Sequence, residues 1–186
     1  MSSSVHQLKP LSEGWYSATP EEIAAHIAER CRCDVIIDGF CGAGGNAIQF
    51  AFTCNHVIAI DIDPVALRVA RHNAAIYGVA DRIDFIQGDF FTLIPRLRAD
   101  IVFLSPPWGG PSYLAQKSFD LNDMPINGIH ILQQARHITP YIAYLLPRNS
   151  DLEQLRCVAG DEPLEVEHNY VDRKVKTITA YFGDFS

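Results

Sequence analysis

Short apolar runs alternate along this chain with longer stretches in which apolar residues recur every three or four positions. The runs DVIID (Asp34 to Asp38), HVIAID (His56 to Asp61), IDFIQGD (Ile83 to Asp89) and ADIVFLS (Ala99 to Ser105) are bounded by polar residues or glycine, as buried strands are. Between the first two, GNAIQFAF has helical spacing. PVALRVARHNAAIYG (Pro64 to Gly78) predicts a helix with proline in its first turn and glycine past its end. A helix near Gly128 to His137, a strand YIAYLLP and a helix from Ser150 continue the alternation. The last two segments, LEVEHNYV and KTITAYFG, alternate apolar and polar residues and suit an antiparallel hairpin. Together these predict an α/β fold: a doubly wound, mostly parallel sheet of seven strands, helices on both faces and an antiparallel hairpin at the C-terminus.

Composition narrows the class. The chain has 186 residues, the size of one domain, and 48% are apolar, enough for a real core. It contains no apolar window long enough to span a membrane, and MSSSVHQLKP lacks the apolar centre of a signal peptide. We expect a flexible segment over residues 1–12 and one domain over 13–186. Five cysteines without a paired CxxC spacing argue against zinc and for free thiols in a reducing compartment. A net charge of −7 argues against non-specific nucleic-acid binding, but it leaves room for a pocket that grips one nucleotide. The short basic run DRKVK (Asp172 to Lys176) reads as a solvated face.

In a doubly wound sheet, ligands bind at the carboxyl ends of the strands. The first strand runs into DGFCGAGGN, where closely spaced glycines let the backbone approach a ligand. The second ends in Asp61, placed to accept from both hydroxyls of a ribose, with the neighbouring Asp63 better suited to cap the following helix. The third ends in GDFF. Asp89 there is either an acceptor for an exocyclic amine or the cap of a turn, and Phe90 either covers a flat ring or belongs to the core. The fourth ends in SPPW (Ser105 to Trp108). An exocyclic amine on an aromatic base has a delocalised lone pair and is a poor nucleophile. A side-chain acceptor and a backbone carbonyl that hold its two hydrogens aim that lone pair. The prolines fix the loop, and the tryptophan supplies a stacking face. A rigid turn with a merely packed tryptophan is the competing reading.

This set of strand ends resembles the class I S-adenosylmethionine-dependent methyltransferases, with Asp38, Gly42 and Gly44 in the glycine loop. Serine before the prolines and tryptophan after them, together with AIDIDP and LPRN, resemble the trimethylguanosine synthases more narrowly, from EGWYSATPE to KTITAYFGD. The resemblance implies a methyltransferase that adds methyl groups from S-adenosylmethionine to the exocyclic N2 of a 7-methylguanosine cap, releasing S-adenosylhomocysteine and using no metal. It implies that Thr19, Asp38, Phe40, Gly42, Gly44, Asp61, Ile62, Asp89, Phe90 and Ser105 meet the cofactor. Ser105, Pro106 and Trp108 would carry the chemistry. Asn73 and Trp108 would lie at the cap base, and Tyr113, Arg148 and Asn149 at its phosphates. Arg148 suits a phosphate through its planar fork, while pairing with Asp151 is its alternative.

The implied partners are 7-methylguanosine-capped small nuclear and nucleolar RNAs and the proteins of their particles. The chain is expected to be a monomer, working in the nucleus (nucleolus or Cajal body) and also in the cytoplasm. Family members carry a further helical segment upstream of EGWYS, where this sequence has MSSSVHQLKPLS. Two other readings stand beside the leading one. One is an amine methyltransferase acting on a ribosomal RNA or DNA base or a glutamine; the other is a truncated cofactor-binding domain with little catalysis.

Overall fold

The computed structural model describes residues 19–110, 113 and 115–185. The expected flexible segment 1–12 lies outside them. Helices α1 (Glu21–Arg30), α2 (Gly45–Thr53), α3 (Pro64–Ile76), α4 (Phe90–Leu93), α5 (Gly128–Ala135) and α6 (Leu152–Ala159) alternate with strands β1 (Val35–Asp38), β2 (His56–Asp61), β3 (Ile83–Gln87), β4 (Ile101–Leu104) and β5 (Ile142–Pro147). The hairpin β6 (Leu164–Val171) and β7 (Lys174–Phe182) closes the chain. The seven strands form one sheet in the order β3-β2-β1-β4-β5-β7-β6. β1 to β5 are parallel, and β7 runs antiparallel to both β5 and β6. The predicted architecture is the observed one.

The near-continuous apolar runs follow from burial on both faces. Ile36, Val57, Ala59 and Phe103 face a layer made by α1, α2 and α3, while Ile37, Ile60, Val102 and Leu104 face α4, α5 and α6. Adjacent residues such as Ile36 and Ile37 therefore serve opposite cores. Helix starts follow local chemistry. Asp63 accepts from the Val65 amide at 2.8 Å ahead of Pro64, Asn127 caps α5 through the His130 amide, and Asp151 caps α6 through the amides of Glu153 and Gln154. The strands end somewhat earlier than the sequence suggests, β3 at Gln87 and β4 at Leu104. Gly88 and Ser105 begin the turns toward the ligand edge.

One glycine of the β1–α2 turn is fixed by sterics. Gly44 has φ of +85°, and a Cβ built on it would lie 2.9 Å from Cβ of Ala70 on α3. Gly44→Ala therefore meets both a left-handed backbone and a hard contact, a loss of roughly 2–4 kcal/mol. A lowered urea midpoint at unchanged slope measures it.

Candidate active site

Five consecutive parallel strands deliver their ends to one edge of the sheet. Asp38 ends β1, Asp61 ends β2, Asp89 follows β3, Ser105 follows β4 and Arg148 follows β5. β1 and β4 are neighbours from which the chain winds outward in opposite directions. The crevice between them is where doubly wound sheets take ligands.

The glycine loop is braced from three sides. The Cys41 amide donates to the Ile60 carbonyl at 2.9 Å. The Gly42 amide donates to Asp61 Oδ2 at 2.8 Å, and Asp61 Oδ1 accepts from the Asp63 amide at 2.9 Å. Asn73 on α3 donates from Nδ2 to the Ala43 carbonyl at 3.0 Å. Asn73, expected at the cap base, thus also anchors the glycine loop, because its helix lies beside that loop. Gly42 has φ of +51°, and a Cβ there would meet nothing within 4 Å, so its outer side is open. Asp61 is half-buried, and the next residue, Ile62, is 70% exposed. An apolar side chain standing free beside a fixed carboxylate suits the adenosine half of a ligand.

Asp38 is the outstanding group. It is fully buried, and among the described residues no donor meets either carboxylate oxygen in full hydrogen-bond geometry, although the amides of Phe40 and Ala47 lie near it. Burial pushes its carboxyl up to about 7; the amides of Phe40 and Ala47 draw it back only in part, and the charge of Asp61 adds to the rise. Nearby, Asn46 donates from Nδ2 to Thr19 Oγ1 at 2.9 Å, while its buried Oδ1 has no partner among the described residues. Buried polar atoms of this kind are rare unless something else satisfies them. They fit the charged tail of a ligand.

At β3 the structure shows one role for each residue. Asp89 caps α4 by accepting from the Phe91 amide at 3.0 Å. Phe90 is 3% exposed, and its ring packs on Phe40 and Phe91 with centroids 5.6 and 5.8 Å away. Phe90 belongs to the core, so it does not cover a ligand ring; Phe40 and Phe91 are the less buried rings. The turn after α4's cap points the apolar side chain into the layer beneath β1, which the pattern alone left open.

Around SPPW, Ser105 Oγ donates to the Phe40 carbonyl at 3.3 Å. With its hydrogen so engaged, the hydroxyl offers its lone pairs to an incoming N–H. Pro106 is buried. Trp108 is half-buried against both core layers, and Tyr113 stands edge-on to it, centroids 5.4 Å apart and planes at 90°. Asn149 ties down this loop: its Nδ2 donates to the carbonyls of Tyr113 at 3.0 Å and Gln116 at 2.9 Å. Asn149 is thus a brace for Tyr113. Burial holds the Tyr113 phenol above its ordinary value, with the charge of Arg148 acting the other way.

Arg148 is exposed and donates from Nη1 to the Val175 carbonyl at 3.4 Å. Its alternative partner, Asp151, is engaged in capping α6. Because β7 is antiparallel to β5, with Thr177 beside Pro147, the tip of the hairpin lies at the ligand edge. Lys174 and Lys176, both exposed, flank the residue that Arg148 touches. The basic run read as a solvated face is thereby beside the site, a placement that only the long-range pairing creates. A separate cleft of about 540 Å³ opens at the outer edge of β3, lined by Arg71, Asp84 and Phe85 among others, and includes none of these residues. Among the described residues there is no cluster of three or more side chains able to hold a metal ion.

Comparison with known proteins settles the family. The RNA cap guanine-N2 methyltransferase family matches residues 33–185. The trimethylguanosine synthase of Schizosaccharomyces pombe is 40% identical over 183 residues, covering 92% of this chain and 76% of that protein. This chain belongs to the RNA cap guanine-N2 methyltransferase family. The trimethylguanosine synthase of Saccharomyces cerevisiae is 38% identical, covering 77% of this chain and 49% of that protein. A crystal structure of a methyltransferase from Geobacter sulfurreducens, 16% identical, superposes with a TM-score of 0.62 over 88% of this chain and 77% of its own, which shows the shared fold. As a member of the family, the chain is an enzyme of cap guanine-N2 methyl transfer, and its substrate is RNA. No helix among the described residues is long and apolar enough to cross a membrane.

Proposed function

We propose that this methyltransferase uses S-adenosylmethionine to place two methyl groups on N2 of a 7-methylguanosine cap, giving 2,2,7-trimethylguanosine on small nuclear and nucleolar RNAs. The observation that carries it is the convergence of a buried acid, a braced ribose-type acid and a Ser-Pro-Pro-Trp turn on neighbouring strand ends. The residues present fit the donor. Asp38, with Asn46 and Thr19, takes its amino-acid tail; Gly42 and Gly44 give it backbone access. Asp61 takes the ribose hydroxyls, with Phe40, Ile62 and Asp89 around the base. When bound, S-adenosylmethionine supplies an electrophilic methyl on a sulfonium.

The chain's own residues then prepare the nucleophile. Ser105 Oγ and the Pro106 carbonyl accept the two hydrogens of the exocyclic amine, which aims its lone pair. Trp108 stacks on the guanine, whose N7 methyl makes it cationic, and the ring face favours that charge. No residue of the turn is placed as a dedicated base; once the nitrogen has become cationic, its proton passes to water. Tyr113 buttresses Trp108, and Arg148 with Lys174 and Lys176 faces the cap phosphates. We place the enzyme in the nucleus, where such RNAs and their particle proteins occur, and also in the cytoplasm, as a monomer whose catalytic domain covers residues 13–186.

Incubation of the chain with the donor and either 7-methylguanosine triphosphate or guanosine triphosphate, followed by mass analysis, tests the reaction. Two added methyls on the first and none on the second are expected. Equal methylation of both overturns the cap reading; donor binding with no turnover of either favours a cofactor-binding domain. The phosphate assignment has its own measurement. Arg148→Ala should weaken binding of 7-methylguanosine triphosphate by about 10- to 100-fold, the range of a lost charge-assisted hydrogen bond, and leave 7-methylguanosine almost unaffected. Equal losses for nucleotide and nucleoside would remove Arg148 from the phosphates.

A further inference from the structure

At the opposite edge of the sheet, the pairing that brings the strand ends together also brings two thiols together. β1 and β2 pair with Val35 beside His56. Toward the amino ends the same offset continues: the His56 amide donates to the Asp34 carbonyl at 3.0 Å, and Asn55 Nδ2 donates to the Asp34 carboxylate at 2.7 Å. One step further it sets Cys33 beside Cys54, whose Sγ atoms are 3.8 Å apart. Both cysteines are free thiols; Cys33 is half-buried and Cys54 buried. Thr53 Oγ1 is a further 3.7 Å neighbour of Cys54 Sγ.

The two sulfurs are in hydrogen-bonding contact, and either can be the donor. The contact with Cys33, helped by Thr53 and the charge of Arg32, lowers the Cys54 thiol against the effect of its burial, and the same contact raises the Cys33 thiol. Cys31 and Cys41 are buried thiols that burial pushes up, out of the reactive range. Cys157 is exposed on α6.

We propose that Cys33 and Cys54 are a redox-active dithiol that a small disulfide of the glutathione type converts into an intramolecular disulfide. Cys33, the more exposed, is the entry sulfur. Cys54 first loses its proton to water, the Cys33 proton then passes to Cys54 through their contact, and the Cys33 thiolate so formed attacks one sulfur of the small disulfide. A Cys33 mixed disulfide forms, the original S–S bond breaks, and the first small thiolate leaves and takes a proton from water. Cys54 then loses this proton to water and attacks Cys33 Sγ, which expels the second small thiolate, and that too takes a proton from water. Two protein thiols are oxidised, and one small disulfide is reduced to two thiols. The closed loop encloses residues 34–53: β1, the glycine loop and α2.

The test uses the whole chain incubated with oxidised glutathione and then alkylated. Cleavage before aspartate gives one peptide of residues 1–33 with Cys31 and Cys33 and another of residues 38–60 with Cys41 and Cys54, and tandem mass spectrometry of the joined pair locates which sulfurs are linked. The expected product is a peptide pair joined through Cys33 and Cys54, with Cys157 recovered as alkylated thiol or glutathione adduct. Cys54→Ser should instead trap glutathione on Cys33. A link through Cys31 or Cys41, or alkylation of both Cys33 and Cys54 under conditions that modify Cys157, overturns the proposal. The wild-type map decides even if the variant does not fold.

Discussion

A Trp108→Ala enzyme is expected to bind the methyl donor as wild type does and to methylate no cap. The donor half of the proposed site is built from the ends of β1, β2 and β3, whereas Trp108 follows β4 and packs against Tyr113. Removing the indole takes away the surface that holds the guanine in line, and misplacement of a reacting group by about 1 Å costs on the order of 100-fold in rate. Loss of the binding contact adds to this. Because Trp108 touches both core layers, the alanine variant also needs its fold checked by circular dichroism. Trp108→Leu separates packing from charge. It keeps apolar contact but has no ring face, so the preference for 7-methylguanosine over guanosine should shrink by roughly 2- to 30-fold, the equivalent of about 0.5–2 kcal/mol. An undiminished preference in the leucine variant would reduce Trp108 to a packing residue. Competition binding with the two nucleotides provides the measurement.

The second large effect concerns Asp38, and here binding and stability are expected to move in opposite directions. In the free protein burial holds its carboxyl at about 7, against 3.8 for an ordinary aspartate. The folded chain therefore holds a proton between these values that the unfolded chain has released. Its contribution to stability is intact below the unfolded value and is lost as pH rises through the folded one. By pH 8 the buried charge costs as much as about 4 kcal/mol. Asp38→Asn should remove that cost, so the ligand-free variant should be more stable than wild type at pH 8 and no more stable at acid pH. The same variant should lose most donor affinity, since the cationic tail no longer meets a carboxylate. In wild type, donor affinity should rise about tenfold per unit as pH increases toward 7 and then level off. Urea unfolding at several pH values and calorimetric titration of the donor measure the two sides. A variant with wild-type donor affinity would remove Asp38 from the site.

Much of the site was legible because strand ends in a doubly wound sheet are predictable from where apolar runs stop. Asp61 and Ser105 were placed at the ligand edge that way, and the glycine loop was marked by its own composition. What the pattern could not supply were contacts between segments. That Asp61 holds the Gly42 amide depends on β1 and β2 being neighbours. That Asn73, given to the cap base by resemblance, holds the Ala43 carbonyl depends on α3 lying beside the glycine loop. Asp89 and Phe90 each had two readings because a cap and a ligand acceptor look alike in one dimension, as do a core ring and a stacking ring. The role of Asn149 as a brace, and the arrival of the DRKVK tip beside Arg148, come from antiparallel pairing over long separations.

That tip carries one more consequence. Val171 pairs with Lys174, so the hairpin turns on two residues only, Asp172 with φ of +50° and Arg173 with φ of +63°. Turns of this hand favour asparagine followed by glycine, and a side chain such as arginine held there costs about 1 kcal/mol or more. The chain thus leaves unused an available gain in hairpin stability, and the side chain it keeps in exchange is a positive charge held out over the rim where the RNA phosphates are proposed to enter. A variant selected only for heat resistance would discard Arg173 first, and the electrostatic attraction of that rim would weaken with it.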